Sequence, residues 1–133
     1  MSRDKPLILV VDDETHILHV VGLKLSNAGY EIITAEDGEE GLEVAVEQTP
    51  DLVITDFQMP FMTGLELSIA LKDHEKTCEI PALMLTARGF SLTDEQLTQT
   101  NIRGVISKPF SPREILDQVA ELVGRDAAPN EAA

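Results

Sequence analysis

The sequence is poor in cysteine, in aromatic residues and in long apolar runs. Its 133 residues include one cysteine, Cys78, one tyrosine and no tryptophan. A single thiol excludes an internal disulfide and a multi-thiolate metal site, which is typical of a reducing compartment. The longest uninterrupted apolar run, Leu7–Val11, has five residues, whereas a bilayer span needs roughly 20. Because the N-terminal residues also lack the apolar stretch of a signal peptide, we expect a cytoplasmic protein without a membrane segment.

Positive charge is also scarce. Ten Lys and Arg residues stand against 24 Asp and Glu residues, which gives a formal net charge of −14 at pH 7. A surface this acidic repels the phosphates of nucleic acids and of anionic lipids, so we expect neither as a partner. A transcription factor is not expected either, because the sequence shows no second segment with a basic face. Solubility explains most of the carboxylates, and the question is whether some gather where solubility does not explain them.

Short β-branched runs alternate with longer segments whose apolar residues recur about every 3.6 positions. The predicted strands are Leu7–Val11, Glu31–Thr34, Leu52–Thr55, Ala82–Thr86 and Gly104–Ile106. Several of them are continuously apolar, which is typical of strands buried on both faces of a parallel sheet. The alternation predicts an α/β fold, namely a doubly wound five-stranded parallel sheet flanked by five helices, with right-handed crossovers.

The five predicted helices differ in how strongly the sequence supports them. The last has the clearest apolar stripe and begins at Ser111–Pro112, a common N-terminal signal. The third, at about Gly64–Glu75, is amply apolar, whereas the fourth, within Leu92–Thr100, is polar and is expected to be short and marginally stable. We expect one domain over residues 1–124 and a disordered tail over residues 125–133, where no periodicity is found.

Polar residues stand at or just after the ends of four of the five predicted strands. In order along the chain they are Asp12 and Asp13, Asp56, Thr86, and Lys108 followed by Pro109. The carboxyl ends of parallel strands meet at one edge of a doubly wound sheet, where such folds place their ligands. We therefore expect the carboxylates, the hydroxyl and the ammonium group to share one crevice.

Three carboxylates in one crevice need a counter-charge. Two of them about 4 Å apart repel by about 4 kcal/mol at an effective dielectric constant near 20, and one lysine offsets only part of this. An all-oxygen site with open positions suits Mg²⁺, and the first strand–helix turn carries Asp-Asp-Glu instead of the glycines that bind phosphate directly. The pattern indicates a metal-dependent phosphoryl site. Taken singly, Asp13 or Glu14 could simply cap the next helix and Asp56 could be a turn residue, but their joint occurrence argues against this.

Four ordered motifs carry a resemblance to a known family. They are Val10–Glu14 (VVDDE), Thr55–Pro60 (TDFQMP) with Gly64 after it, Leu85–Ala87 (LTA) and Ser107–Phe110 (SKPF). The intervals from Asp12 to Asp56, from Asp56 to Thr86 and from Thr86 to Lys108 are 44, 30 and 22 residues. With these motifs at these intervals, the chain resembles the receiver domain of two-component response regulators over roughly residues 6–123.

The resemblance implies a role for each of these residues. Asp56 is expected to accept a phosphoryl group from a phosphohistidine and to form an acyl phosphate. The implied Mg²⁺ ligands are Asp13, Asp56 and the backbone carbonyl of Gln58, with Asp12 acting through a bound water. Lys108 is expected to pair with Asp56 and later with a phosphoryl oxygen, and Thr86 to donate its hydroxyl to the phosphoryl group. The peptide bond before Pro109 is expected to be cis.

The resemblance also implies how the protein signals. Phosphorylation adds roughly −1.5 to −2 charges, which should draw Thr86 inward and alter the surface of helix four, strand five and helix five. The implied partners are a sensor histidine kinase or a histidine phosphotransfer protein and a downstream protein target, with a monomer or a phosphorylation-dependent dimer. Val105 departs from the family, which commonly has Tyr, Phe or His there. Val105 is therefore expected to fill the strand, and the output to be smaller or to work through Arg88 and Phe90.

A stand-alone, target-binding regulator is the expected function, with no enzymatic activity beyond self-catalysed phosphotransfer and slow self-dephosphorylation. A phosphorelay intermediate or a phosphate sink would use the same site without a dedicated target. An aspartyl-phosphate hydrolase typically needs a second aspartate two residues after the nucleophile, where this chain has Gln58. A flavodoxin-like electron carrier is disfavoured, because the acidic first loop would repel a flavin phosphate and because only Tyr30, with no tryptophan, is available for stacking.

Overall fold

The computed structural model describes residues 5–87 and 91–123, which form five strands and five helices in strict alternation. The strands are β1 Leu7–Val11, β2 Glu31–Ala35, β3 Leu52–Asp56, β4 Ala82–Thr86 and β5 Ile102–Ser107. The helices are α1 Thr15–Asn27, α2 Gly38–Gln48, α3 Gly64–Asp73, α4 Asp94–Thr98 and α5 Pro112–Val123. The strands pair in parallel in the order β2-β1-β3-β4-β5. This confirms the predicted doubly wound α/β fold.

The sheet is central and is covered on both faces. β1, β3 and β4 are buried along their whole length, as their continuous apolar runs predict. Successive residues of a strand point to opposite faces, so Ile8, Val10 and Ile54 pack in one core with residues of α1 and α5. Leu9 and Val53 pack in a second core with residues of α2 and α3. The two cores together fix the positions of the strand ends.

β5 is longer than the sequence predicts. It begins at Ile102 rather than Gly104, because the Ile102 side chain is buried, and it ends at Ser107, which pairs with the last residue of β4. Arg103 interrupts the apolar pattern after Ile102, which is why the predicted strand begins only at Gly104. β2 and β3 likewise extend one residue beyond their predicted ends, to Ala35 and Asp56.

The last helix begins at its predicted signal. α5 starts at Pro112 behind a capping box, in which the Glu114 backbone N–H donates to Ser111 Oγ and the Ser111 backbone N–H donates to Glu114 Oε1, each at 3.2 Å. α3 ends at Asp73 rather than Glu75, because the chain turns there towards β4. These caps and turns hold the loops that connect each strand end to the next helix.

α4 is the least embedded helix, as its polar sequence predicts. It has five residues, and none of these five described residues is buried. A capping box of Thr93 and Gln96 holds its first turn. Because α4 contributes no buried apolar side chain, little free energy resists its displacement.

Some predictions fall outside the described part of the chain. Residues 88–90, which include Arg88 and Phe90, and the predicted tail at 125–133 lie outside the described residues. The domain bounds at 1–124 therefore stay a prediction. Within the described ranges, no helix is long and apolar enough to cross a membrane.

Candidate functional site

The register of the sheet brings the predicted site residues to one edge. Val11 of β1 lies beside Thr55 of β3, so the residues that follow, Asp12 and Asp56, are neighbours. β4 and β5 end level with each other, which places Thr86 next to the strand that leads to Lys108. The edge lies where strand order reverses, since β1 connects outward to β2 and is flanked on its other side by β3.

Three aspartates converge at this edge. Asp12, Asp13 and Asp56 each offer one carboxylate oxygen, and these three oxygens lie within 4.8 Å of one another. Asp12 is 0% exposed and Asp56 is also buried, whereas Asp13 is open to solvent. Asp12 Oδ1 accepts a hydrogen bond from the Glu14 backbone N–H at 2.9 Å. Glu14 occupies the N-cap position of α1, as the capping alternative predicts, but its side chain makes no capping hydrogen bond among the described residues.

Lys108 is the cation of the site. Its Nζ lies 2.8 Å from Asp56 Oδ1, as predicted. The Lys108 backbone N–H donates to the Thr86 carbonyl at 2.7 Å, and the Lys108–Pro109 peptide bond is cis, as predicted. Backbone and side chain of Lys108 therefore connect the ends of β4 and β3.

Burial and charge shift the proton affinities of these groups. Burial is the main cause that raises the pKa of Asp12 from 3.8 to about 6, against the lowering effect of the Glu14 backbone hydrogen bond. Burial also raises the pKa of Asp56, and the hydrogen bond from Lys108 opposes that rise. For Lys108, burial lowers the pKa, but the hydrogen bond and the negative charge of Asp56 outweigh it and raise the pKa overall. The ion pair with Lys108 thus opposes the effect of burial on Asp56.

Two buried polar atoms at this edge have no hydrogen-bond partner among the described residues. They are Asp12 Oδ2, an acceptor, and Thr86 Oγ1, a hydroxyl that can donate. Leaving a buried polar group unpaired costs about 1–3 kcal/mol, so native proteins keep such groups mainly where a ligand or water satisfies them. An all-oxygen carboxylate cluster with an unpaired oxygen fits a divalent cation such as Mg²⁺. An unpaired buried hydroxyl fits an oxyanion.

The loop between β3 and α3 closes against Asp56. The Gly64 backbone N–H donates to the Phe57 carbonyl at 2.9 Å. A Cβ at Gly64 would lie 2.3 Å from the Asp56 carbonyl oxygen, so only glycine allows this approach. Gln58 is exposed in the same loop, two residues after Asp56, and its predicted role as a metal ligand stays a prediction.

Sequence reasoning missed two features near the site. Val105 was expected to fill β5, but its side chain is 38% exposed: β5 is an edge strand, and the short α4 has no buried residue with which to cover it. The sequence pattern predicts no role for Phe61, yet its side chain is fully exposed and its φ is +67°. The only signal in the sequence was an aromatic residue between Pro60 and Gly64, where a turn is expected.

The strand order and the polar edge place the protein among doubly wound α/β proteins of flavodoxin-like topology. A sequence model of the response regulator receiver domain matches residues 8–120, and the chain therefore belongs to the receiver domain family of two-component response regulators. Proteins of this family are phosphoacceptor signalling modules that bind Mg²⁺ at an acidic pocket and interact with histidine kinases or phosphotransfer proteins. The family predicted from the four motifs is thereby confirmed.

Curated relatives and solved structures agree with this assignment. The phosphate regulon transcriptional regulatory protein PhoB of Pseudomonas aeruginosa is 38% identical over 118 residues, which are 89% of this chain and 52% of PhoB. The alkaline phosphatase synthesis transcriptional regulatory protein PhoP of Bacillus subtilis is 37% identical over 92% of this chain and 51% of PhoP. The chain thus spans about half the length of these relatives. The structure of the chemotaxis response regulator CheY4 of Vibrio cholerae superposes with a TM-score of 0.81 at 33% identity, over 89% of this chain and 98% of CheY4.

Mg²⁺ binding is expected to weaken as the pH falls below about 6, because the buried carboxyl group of Asp12, whose pKa is about 6, must be ionised to serve a cation. If one proton is displaced, the apparent dissociation constant should rise about tenfold per pH unit below that value. Calorimetry at about pH 8 is expected to give a constant of about a millimolar or lower.

The metal-free protein is expected to show the opposite trend. Because the pKa of Asp12 is higher in the folded protein, about 6, than the ordinary 3.8, the native state binds this proton more tightly than the unfolded chain. The free energy of unfolding should therefore fall as the pH rises through that interval. Asp12→Asn is the control, and it should flatten both the pH dependence of the Mg²⁺ dissociation constant and the pH dependence of the free energy of unfolding. Equal Mg²⁺ affinity of the wild type at about pH 5 and about pH 8 would contradict this account.

Proposed function

We propose that Asp56 is the phosphoacceptor of this receiver and that it takes a phosphoryl group from a phosphohistidine on a sensor histidine kinase or a histidine phosphotransfer protein. The main support is the buried Asp56 carboxylate, which lies 2.8 Å from the Lys108 ammonium group. Two buried polar atoms of the same edge, Asp12 Oδ2 and Thr86 Oγ1, have no hydrogen-bond partner among the described residues. A carboxylate oxygen attacks phosphorus, the P–N bond to the histidine breaks, and an acyl phosphate forms. The four family motifs support the same assignment.

Lys108 has two tasks in this proposal. Before transfer, its hydrogen bond and its charge oppose the burial that raises the pKa of the Asp56 carboxyl group, which favours the nucleophilic carboxylate. After transfer, one Asp56 oxygen is esterified to phosphorus, and Lys108 pairs with a phosphoryl oxygen instead. Its backbone hydrogen bond to Thr86 holds the side chain near both positions.

Asp12, Asp13, Asp56 and the backbone carbonyl of Gln58 are the residues that would hold Mg²⁺. When bound, the ion neutralises charge on the phosphoryl group in transit. Asp12 Oδ2 is the buried acceptor that lacks a partner among the described residues, and Asp13 is exposed and free to complete the site. The proximity of the three carboxylates supports this ligand set.

Thr86 is proposed to report the phosphoryl group to the rest of the protein. Its buried hydroxyl is the unpaired donor of the site, so a phosphoryl oxygen would be its first hydrogen-bond acceptor within the described structure. Thr86 ends β4, and the chain continues from it towards α4, whose five residues bury nothing. A small movement at Thr86 can therefore displace α4 and change the face formed by α4, β5 and α5, where a downstream target would bind.

The exposed Val105 favours a second candidate of the same chemistry. Without an aromatic ring at this position, the α4–β5–α5 face lacks the bulky side chain whose burial signals phosphorylation in the family. A phosphorelay intermediate or a phosphate sink needs no such signal. An aspartyl-phosphate hydrolase is disfavoured, because the exposed Gln58 cannot exchange a proton as the aspartate of such enzymes does. The stand-alone architecture and the cytoplasmic location stay predictions, since the curated relatives named above are about twice as long as this chain.

The proposed function is tested by phosphorylation with a small donor. With acetyl phosphate and Mg²⁺, intact-mass spectrometry is expected to show one added phosphoryl group on the wild type. EDTA should reduce this labelling by at least about a hundredfold, because Lys108 alone offsets only part of the charge on the phosphoryl group in transit. Readdition of Mg²⁺ in excess of EDTA is the control. Labelling that proceeds equally in EDTA would refute the metal-dependent mechanism.

A further inference from the structure

Phe61 is held in an unusual conformation beside the acidic edge. Its side chain is 102% exposed, and its φ of +67° lies in the left-handed region, which bulky residues rarely adopt. The Met62 backbone N–H donates to the Pro60 carbonyl at 2.7 Å. A hydrogen bond between residues two apart, with a positive φ at the central residue, defines the rare classic γ-turn. This turn aims the ring into solvent.

The turn is rigidly supported on both sides. Met59 before it is buried, and Met62 after it packs so closely on Gly38 of α2 that a Cβ there would lie 2.8 Å from Met62 atoms. The hydrogen bond from Gly64 to Phe57 and the Thr63–Glu66 capping box close the loop. Phe61 is therefore a fixed projection, and little conformational freedom would be lost when a partner covers it.

The fold itself gains nothing from a phenylalanine at this position. A fully exposed ring contributes no buried apolar area, and glycine would adopt the same φ without steric cost. Strained conformations of this kind persist mainly where function requires them. The ring is therefore better explained by a contact with another molecule than by stability.

The surroundings indicate the chemistry of that molecule. A surface cavity of about 360 Å³ lies beside the ring, between the start of α2 and the turn; its lining residues are Asp37, Gly38, Glu39, Pro60, Phe61 and Met62. Two of them are acidic, and the nearby edge adds three aspartates. A partner that covers Phe61 would match this surface with an apolar recess bordered by lysine or arginine.

We propose that Phe61 anchors the protein that donates the phosphoryl group, by inserting its ring into an apolar recess of that donor next to the phosphohistidine. The inference rests on the proposed function of Asp56. Any protein donor must cover the edge at Asp56, and the loop that carries Phe61 belongs to this edge, because Gly64 in the same loop lies against the Asp56 carbonyl. A rigid, exposed aromatic residue is the usual centre of a binding interface. A small donor such as acetyl phosphate does not need it.

The test compares a protein donor with a small one. The probe is the kinase that labels the wild type fastest in a panel of purified, autophosphorylated histidine kinases from the source organism. Phe61→Ala is expected to lower kcat/KM with this kinase at least about tenfold, mainly through KM. Labelling by acetyl phosphate should stay within about twofold of the wild type, because the reacting atoms are untouched.

Further variants distinguish the contribution of the Phe61 ring to the kinase rate from that of the neighbouring residues. Phe61→Leu keeps an apolar side chain and should retain most of the kinase rate, whereas Phe61→Gly removes both ring and strain and should lose the rate without a fall in Tm. Glu39→Lys reverses one rim charge and should slow the kinase about fivefold. Val46→Ala, a half-buried position farther along α2, is the matched control and should leave both rates unchanged.

Three results would overturn the inference. The first is a kinase rate for Phe61→Ala within about twofold of the wild type. The second is a parallel loss with acetyl phosphate, which would place the effect at Asp56 itself. The third is an unchanged kinase rate together with loss of self-association in sedimentation, which would make a second copy of the chain the occupant. Failure of acetyl phosphate to label the wild type would instead refute the proposed function and, with it, this inference.

Discussion

Asp56→Asn is expected to abolish phosphorylation of the protein by acetyl phosphate and Mg²⁺. The substitution keeps the size of the side chain but removes the nucleophilic carboxylate, and it also removes the negative partner of Lys108. An amide cannot form the acyl phosphate, so we expect labelling to fall at least about a thousandfold, to the background of the assay. Intact-mass spectrometry and the acid and base lability of the label provide the measurement.

A matched control separates the acceptor from any other carboxylate. Asp73→Asn changes the same functional groups at an exposed position at the end of α3, and it should be labelled like the wild type. Undiminished labelling of Asp56→Asn would move the acceptor elsewhere, with Asp12 or Asp13 as the nearest carboxylates. Unlabelled Asp56→Asn together with unlabelled Asp73→Asn would point instead to an effect of net charge.

Gly64→Ala is expected to affect both stability and phosphorylation. The added methyl group would lie 2.3 Å from the Asp56 carbonyl oxygen and 3.0 Å from Phe57 Cα. Both are backbone atoms, so the loop itself must move. We expect the free energy of unfolding to fall by about 3 kcal/mol, as for an overpacked core, and the rate of labelling by acetyl phosphate to fall about tenfold as Asp56 is displaced.

The control for this substitution is another glycine of the chain. Gly22 lies within α1, and a Cβ there would meet the Ile32 side chain at 3.5 Å, an ordinary contact distance. Gly22→Ala should therefore stabilise the protein by about 0.5–1 kcal/mol through helix propensity and leave labelling unchanged. Urea unfolding of the two variants gives the comparison. A stable, normally labelled Gly64→Ala would show that the loop can relax without moving Asp56.

Much of the fold could be predicted because its sheet is buried on both faces. Continuous apolar runs at Leu7–Val11 and Ala82–Thr86 gave the strand bounds that the structure has. β5 was predicted too short, since Arg103 breaks the apolar run although the strand continues through it. The start of α5 was correct because capping is a local interaction between Ser111 and Glu114.

The sequence predicts which residues form the site, but it does not predict their hydrogen bonds or their exposure to solvent. The rule that parallel strands end at one edge of the sheet predicts that Asp12, Asp56 and Lys108 lie together. The unpaired oxygen of Asp12 and the exposure of Val105 depend on how distant segments pack, which no local pattern encodes. The left-handed turn at Phe61 was missed for a related reason, because propensity assigns such a φ to glycine or asparagine.

The strand order also determines when, during synthesis, this chemistry becomes possible. β1 is the first strand along the chain, whereas its partner β3 is the third, so β3 must leave the ribosome before the aspartates can gather. Lys108 follows the last strand. A nascent chain that stops before it has the acidic cluster without its ammonium group, and the cluster's mutual repulsion is then uncompensated by protein. Translation therefore supplies the counter-charge of Lys108 after the three aspartates, and a nascent chain that ends before Lys108 lacks the Asp56–Lys108 ion pair.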